Sequence, residues 1–337
     1  MKIGLIGCGV IGQRRVQNLP PNAKLTSVFD TDTAKAKQIA DAHGATIATS
    51  AEDMLSTGQV DGVIVAAINS VLVPTMKLAK KYKVPVLVEK PAARSYSELK
   101  SLDPSQGDII KIGFNHRFHP AYLDILKELK NNPNDPIMYI RANYGNGSRL
   151  GFEKEWRANV ELSGGGELLD QGVHLLDLAT NILPELEVKT AWVRTHYWDM
   201  NVDDSAWATL STPQGQTFSM HVSSCEWKNE FRFEVYTRNR KYQWVGLGRS
   251  YGPETLNIYK MKPEMGPPDI EERKYPNEDH SWLNENQNFL KAIKNEEAIF
   301  GGFKDAVRCL KHVENMYKIS KQTQKDEKFK HPIWWQS

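Results

Sequence analysis

The chain has 337 residues, enough for two domains with cores of their own, and its 43 Lys and Arg against 41 Asp and Glu leave a net charge of +2. With the two signs mixed along the chain there is no basic stripe for nucleic acid or a membrane surface, and Cys8, Cys225 and Cys309 are too few and too far apart for a zinc site or a disulfide framework. No cleavable signal pattern precedes Ile3, and the longest apolar run, Val63 to Ile68, falls far short of a membrane span, so a soluble, cytoplasmic protein is expected.

Lys2 to Ile6 reads as a short apolar strand running into Gly7-Cys8-Gly9-Val10-Ile11-Gly12. Ile11, Val16 and Leu19 then keep helical spacing until Pro20-Pro21 stops it. G-x-G-x-x-G between a strand and a helix has a mechanical meaning. Gly7 permits a tight turn, Gly9 lets a pyrophosphate approach the backbone, and Gly12 lets helix and strand pack closely. The helix start at Val10 and Ile11 presents N–H groups to phosphate. A second strand, Leu25 to Phe29, ends at Asp30, about twenty residues beyond the motif, where an acidic side chain meets the adenosine ribose hydroxyls. Such a carboxylate repels a 2′-phosphate and no Arg follows to welcome one, so NAD is expected over NADP.

The alternation of strands and helices continues. Thr31 to His43 reads as a helix closed by Gly44, Ser50-Ala51-Glu52-Asp53 resembles a capping box, and Val60 to Ala67 and Val84 to Val88 are near-continuous apolar strands. Helices over Val71 to Tyr82 and after Ser95, then a strand from Ile109 to Gly113, complete a doubly wound parallel sheet. Ligands of such sheets sit beyond the C-terminal strand ends, here Asp30, Asn69 and Glu89. At the last of these, Pro91 keeps Lys90 out of the α region and turns its amine toward the crevice. A lysine there can donate to a reacting carbonyl or alkoxide, although most Glu-Lys-Pro triplets are solvated turns.

Asn115-His116-Arg117 marks the crossing into a second domain, so the expected division is 1–118 and 119–337. Polar Asn115 and Arg117 at a junction suit either a pocket or an ordinary hinge. Pro136 to Tyr144 alternates like a strand. Gly164-Gly165-Gly166 then opens a helix near Glu167 on whose face Asp170 and His174 stand four residues apart. Three glycines and Gly172 are costly for helix stability alone, so close approach of something to the backbone is expected. Two readings of this Asp and His stay open at this point: catalysis, or a buried pair that satisfies itself. A metal site built from His116, His119, Asp170 and His174 matches no known ligand spacing.

Val188 to Tyr197, Ser205 to Ser211, Thr217 to Ser223, Glu230 to Thr237 and Lys241 to Val245 read as an antiparallel meander. Its tryptophans are expected to pack against a helix or a partner subunit. Pro263 to Asn277 reads as a charged loop, two helices follow near Asp279 to Lys294 and Phe303 to Gln322, and the tail with Trp334-Trp335 is expected to dock.

The N-terminal glycine motif, Glu89-Lys90-Pro91, and Asp170-x-x-x-His174 after a glycine triplet, in this order, resemble the glucose-fructose oxidoreductase/inositol dehydrogenase/MocA family over nearly the whole chain. The resemblance implies a Rossmann domain followed by an α+β domain with a large, mostly antiparallel sheet that carries substrate contacts and oligomerises through its open face. It implies Lys90 and His174 as the acid–base pair with Asp170 beside them, either of the two being the base. The substrate implied is a sugar, cyclitol or sugar derivative that loses hydride to nicotinamide. It also places Asn115 and Arg117 near nicotinamide or substrate, and Trp156-Arg157 as a pair reaching cofactor or substrate. The chain departs from the family pattern at Ala67-Ile68-Asn69, where Thr-Pro-Asn is common, and at Leu72, where a His often stands. Alternatives left open are a nucleotide-sugar dehydrogenase, a glycosidase that oxidises its substrate transiently with bound NAD, and a redox-silent dinucleotide sensor.

Overall fold

The computed structural model describes residues 1–326, and the expected docking of Trp334-Trp335 lies outside them. The chain forms two compact units. The first comprises Met1–Phe118, Glu161–Gly164 and His280–Val307, and the second His119–Val160, Gly165–Asp279 and the described residues from Arg308 to Asp326.

The first unit runs β1 (Lys2–Ile6), α1 (Val10–Gln17), β2 (Lys24–Phe29), α2 (Thr33–His43), β3 (Thr46–Ile47), α3 (Ala51–Ser56), β4 (Gly62–Val65), α4 (Asn69–Lys81), β5 (Val86–Glu89), α5 (Tyr96–Lys100) and β6 (Ile110–Gly113). Six parallel strands lie in the order β3-β2-β1-β4-β5-β6. Every residue of β4, β5 and β6 is buried, as their continuous apolar runs require of strands covered on both faces. Local signals set the helix ends: Asp32 caps Ala34 N at 3.1 Å, Ser50 Oγ caps Asp53 N at 2.9 Å, and Gly44 closes α2 at φ 63°. Ile3, Leu5, Val28, Ile64 and Leu87 form the core with Phe289 and Leu290, which come from the helix Ser281–Ile293 far along the chain. Burying each such side chain contributes roughly 1.5–3 kcal/mol.

The second unit begins with α6 (Pro120–Asn131), whose Pro120 sits at the first helical position. It continues through β7 (Ile137–Gly145), α7 (Val160–Ser163, shared with the first unit), α8 (Val173–Ile182), β8 (Glu187–Arg194), β9 (Ser205–Ser211), β10 (Thr217–Ser223), β11 (Glu230–Thr237), β12 (Arg240–Val245), β13 (Thr255–Lys260) and β14 (Asp269–Lys274). Along the chain there follow α9 (Ser281–Ile293), which belongs to the first unit, and α10 (Phe303–Asp326), which begins in the first unit and ends in the second. The eight strands are ordered β14-β13-β12-β11-β7-β10-β9-β8.

Two expectations are corrected here. The sheet is not a simple meander, because β7 inserts between β11 and β10 and pairs in parallel with β10. The Pro263 to Asn277 stretch is not all loop, since β14 pairs with β13 at the sheet edge. Its charges disguise it, yet an edge strand tolerates them: Glu271 meets Lys260 at 2.9 Å and Asp269 meets Lys262 at 2.7 Å. One sheet face is covered, with Trp244 wholly buried and its ring 4.5 Å from Phe231. Strand pairing puts Trp192, Trp207, Tyr139 and Ile270 on the other face, where they are exposed. Among the described residues no helix is long and apolar enough to cross a membrane.

Candidate active site

At the end of β1 the backbone turns through Gly7 at φ 95°, where a Cβ would run into the Ala66 carbonyl. A Cβ at Gly12 would strike the Gly7 carbonyl, so its absence lets α1 close on the turn. Gly9 differs from both. A Cβ there would meet nothing within 4 Å, and Val10 beside it is 75% exposed. The loop thus has an open side at the start of α1, the shape a pyrophosphate needs. Asp30 ends β2 beside it, one carboxylate oxygen accepting from Cys8 N at 2.6 Å and the other from Asp32 N at 2.8 Å. A carboxylate has lone pairs beyond these two for ribose hydroxyls, so the residues present fit a dinucleotide. Burial, with the charge of Asp30, pushes the Cys8 thiol up to about 12 and keeps it protonated.

Lys90 follows β5 and joins Pro91 through a cis peptide. Its neighbour Glu89 turns inward, with Arg15 Nε 2.6 Å away. Arg15 is wholly buried, lies 2.6 Å from Glu285 as well, and sits 4.5 Å over the Trp282 ring. Burial works against the Arg15 charge, and the two carboxylates outweigh it. Lys111, 3.5 Å from Glu285, is pushed down to about 8, chiefly by burial. Sequence reading missed this cluster; the only sign was a charge on the buried side of α1. Asn69 donates to the Ser163 carbonyl at 2.8 Å, and Asn115 donates to Ser281 Oγ at 2.9 Å. Arg117, 2% exposed, lies 3.1 Å from Asp305 and 4.9 Å over the Phe300 ring. These polar side chains hold the first unit's returning segments.

In the second unit the expected helix starts differently. Leu168–Gly172 winds as a π turn before α8 begins. Such wide turns occur mostly as single insertions, frequently at functional sites. Asp170 lies 3.3 Å from Arg157 Nε, and Arg157 stacks 4.6 Å over Trp156. His174 is 4% exposed, its ring 6.2 Å from that of Tyr144. Asp170, His174, Trp156 and Arg157 are therefore gathered in one unit, with Tyr144 added.

What approaches the glycine triplet is protein. A Cβ at Gly164 would strike Arg94, one at Gly165 the Tyr317 hydroxyl, and one at Gly166 the Asp203 backbone. Asp203 holds the helix start: its carboxylate accepts from Gly166 N at 3.0 Å, Leu168 N at 2.8 Å and Tyr317 Oη at 2.6 Å. Neither Asp203 nor Tyr317 was singled out from the sequence, because a lone Asp in a turn and a lone Tyr on a helix carry no motif. Among the described residues no group of three or more His, Cys, Asp or Glu is placed to hold a metal ion.

A family model described as the oxidoreductase family with an NAD-binding Rossmann fold matches residues 1–105, and the GFO/IDH/MocA C-terminal domain matches 135–243. An inositol 2-dehydrogenase of Rubrobacter xylanophilus is 24% identical over 200 residues, 57% of this chain and 54% of that one. Inositol 2-dehydrogenase 2 of Paenarthrobacter aurescens is 24% identical over 237 residues, 66% of this chain and 68% of that one. The chain thus spans about half to two thirds of the length of these curated relatives. In fold it is similar to a levoglucosan dehydrogenase solved in complex with NADH, with a TM-score of 0.83 at 18% identity over 95% of this chain and 98% of that one.

Proposed function

This chain belongs to the Gfo/Idh/MocA family of NAD-binding oxidoreductases, and on that premise we propose that it is an NAD-dependent dehydrogenase oxidising a secondary hydroxyl of a sugar, cyclitol or sugar derivative, or reducing the matching ketone. The observation that carries this reading is the glycine loop, closed at Gly7 and Gly12 and open at Gly9, with Asp30 anchored beside it. When bound, the nicotinamide ring supplies the hydride acceptor. His174 takes the alcohol proton, because imidazole titrates near neutral pH, and Lys90 stabilises the developing alkoxide; the two roles are interchangeable in chemistry. Asp170, paired with Arg157, orients a substrate hydroxyl or the imidazole. Asp30 selects NAD by accepting ribose hydroxyls and repelling a 2′-phosphate. The exposed Trp192, Trp207 and Tyr139 on one sheet face support self-association there.

The test is absorbance at the reduced-nicotinamide band across cyclitols, hexoses, uronates and nucleotide sugars. His174→Ala and Lys90→Ala should each lower turnover on a true substrate by about two orders of magnitude, as loss of a general acid or base commonly does. An unchanged rate in either variant removes that residue from the mechanism, and tighter binding of NADP than NAD by the native protein removes the role of Asp30.

A further inference from the structure

Four charged side chains meet inside the first unit, one each from α1, β5, β6 and α9. Arg15, Lys111 and Glu285 are wholly buried, and Glu89 is 7% exposed. Arg15 Nε lies 2.6 Å from one Glu89 oxygen and Arg15 Nη1 lies 2.6 Å from one Glu285 oxygen, so a single guanidinium spans both carboxylates. Glu285 is met from β6 by Lys111 at 3.5 Å, and the Lys111 amine also donates to the Phe300 carbonyl at 2.8 Å. The next residue of α9, Asn286, donates to the backbone carbonyls of Arg15 at 3.1 Å and Asn18 at 2.9 Å. Strand β6 leaves room for the pair, because a Cβ at Gly113 would meet Arg15 Nη2 at 2.6 Å and a Glu89 oxygen at 3.0 Å.

Stability alone does not ask for this arrangement. Ions taken out of water lose their hydration, and apolar side chains of like volume often serve a core as well or better. What the cluster gains is a fixed direction. Glu89 is the last residue of β5, where it pairs with Gly113, and Ala92 N donates back to its carbonyl at 3.1 Å. Its carboxylate cannot swing away without stripping the buried guanidinium of one of its two counter-charges. Backbone and side chain together therefore hold the Glu89–Lys90 peptide in one orientation, and Lys90 leaves the strand end in one direction. The helix that does the gripping is α1, which begins at the open side of the glycine loop.

We propose that Arg15, held by Glu285, is a positioning residue for Lys90: through Glu89 it sets where the Lys90 amine stands relative to the dinucleotide cradle of the same unit. This inference rests on the dehydrogenase reading above, in which Lys90 stabilises the alkoxide. Arg15 touches neither substrate nor cofactor in it, and a lysine could not replace it, since one amine cannot span two carboxylates.

The experiment follows NAD reduction by the full chain with myo-inositol, D-glucose and D-glucuronate. It compares the native protein with Arg15→Lys and Glu89→Gln, each alone and combined with Lys90→Ala, and with His174→Ala. Arg15→Lys and Glu89→Gln should each lower kcat about tenfold or more, because a small misplacement of a reacting group is costly. The KM for NAD should stay within about twofold, and in the Lys90→Ala background the same changes should cost less than about twofold, since a residue that acts through another then has nothing to act on. Losses of equal size in both backgrounds assign the cluster to general packing and overturn the inference, as does an unchanged kcat. Should either variant fail to fold, the other carries the comparison, with Glu285→Gln, which leaves the Arg15–Glu89 contact in place, as the third; misfolding of all three overturns the inference by making the cluster a folding device. Turnover lost in His174→Ala but kept in these variants overturns it while leaving the dehydrogenase standing. If no substrate reduces NAD with the native protein, both readings fall together.

Discussion

The molecule carries two glycine clusters that look alike on paper and work in opposite ways. At Gly7, Gly9 and Gly12 two missing side chains make room for the chain's own carbonyls and one leaves open space. At Gly164, Gly165 and Gly166 all three are filled by protein, from Arg94, Tyr317 and Asp203. The first cluster is a cradle with a vacant side, and the second is a close-packed joint that sets the start of the helix bearing Asp170 and His174. A glycine run therefore signals close approach without saying of what.

Adding one methyl group at a time breaks the comparison most directly. Gly166→Ala should cost about 3 kcal/mol or more, because the new Cβ lands on the Asp203 backbone and neither side can yield without shifting the joint. Thermal melting reads this, and a variant as stable as the native protein would show that the joint is loose. Asp203→Asn places an amide where three donors point, at Gly166 N, Leu168 N and Tyr317 Oη. A loss of roughly 2 kcal/mol in urea unfolding is expected for buried donors left unmatched. Turnover should fall with it, and full activity would detach Asp203 from the geometry of His174.

The cradle should respond the other way. Gly9→Ala should leave the stability of the free protein within about 0.5 kcal/mol, as for an exposed substitution, because its Cβ enters open space. It should weaken NAD by about tenfold, since the methyl occupies the side that a pyrophosphate approaches. Calorimetry with NAD that finds no weakening would show the open side faces no ligand. The smallest effect belongs to Gly172→Ala, where the Cβ comes nearest to the side-chain ends Leu168 Cδ1 at 3.0 Å and Met220 Cε at 3.4 Å. Side-chain crowding and the better helix propensity of Ala should nearly cancel, leaving a change under about 1 kcal/mol.

These glycines also mark how far sequence reading reached. Gly7-x-Gly9-x-x-Gly12 was legible because strand, turn and helix all lie within a few residues of it. Asp170 and His174 were read as a pair because α-helix geometry relates positions four apart, and the π turn at Leu168–Gly172 carries no such signal in the sequence. The partners of the triplet were illegible: Asp203 and Tyr317 lie on a distant turn and a distant helix, and no periodicity links them to Gly166.

By itself the sequence determined what local physics decides: apolar strands, the cap at Ser50, the helix end at Gly44, the turn at Gly7, and the alternation that makes a parallel sheet. Tertiary structure alone decided which charges could be buried together. Glu89 faces Arg15, and Arg15 faces Glu285 from a helix 270 residues later, because a buried charge is tolerable only beside an opposite one brought there by the fold. The same holds for β7, whose place between β11 and β10 depends on edges that exist only once its neighbours have paired.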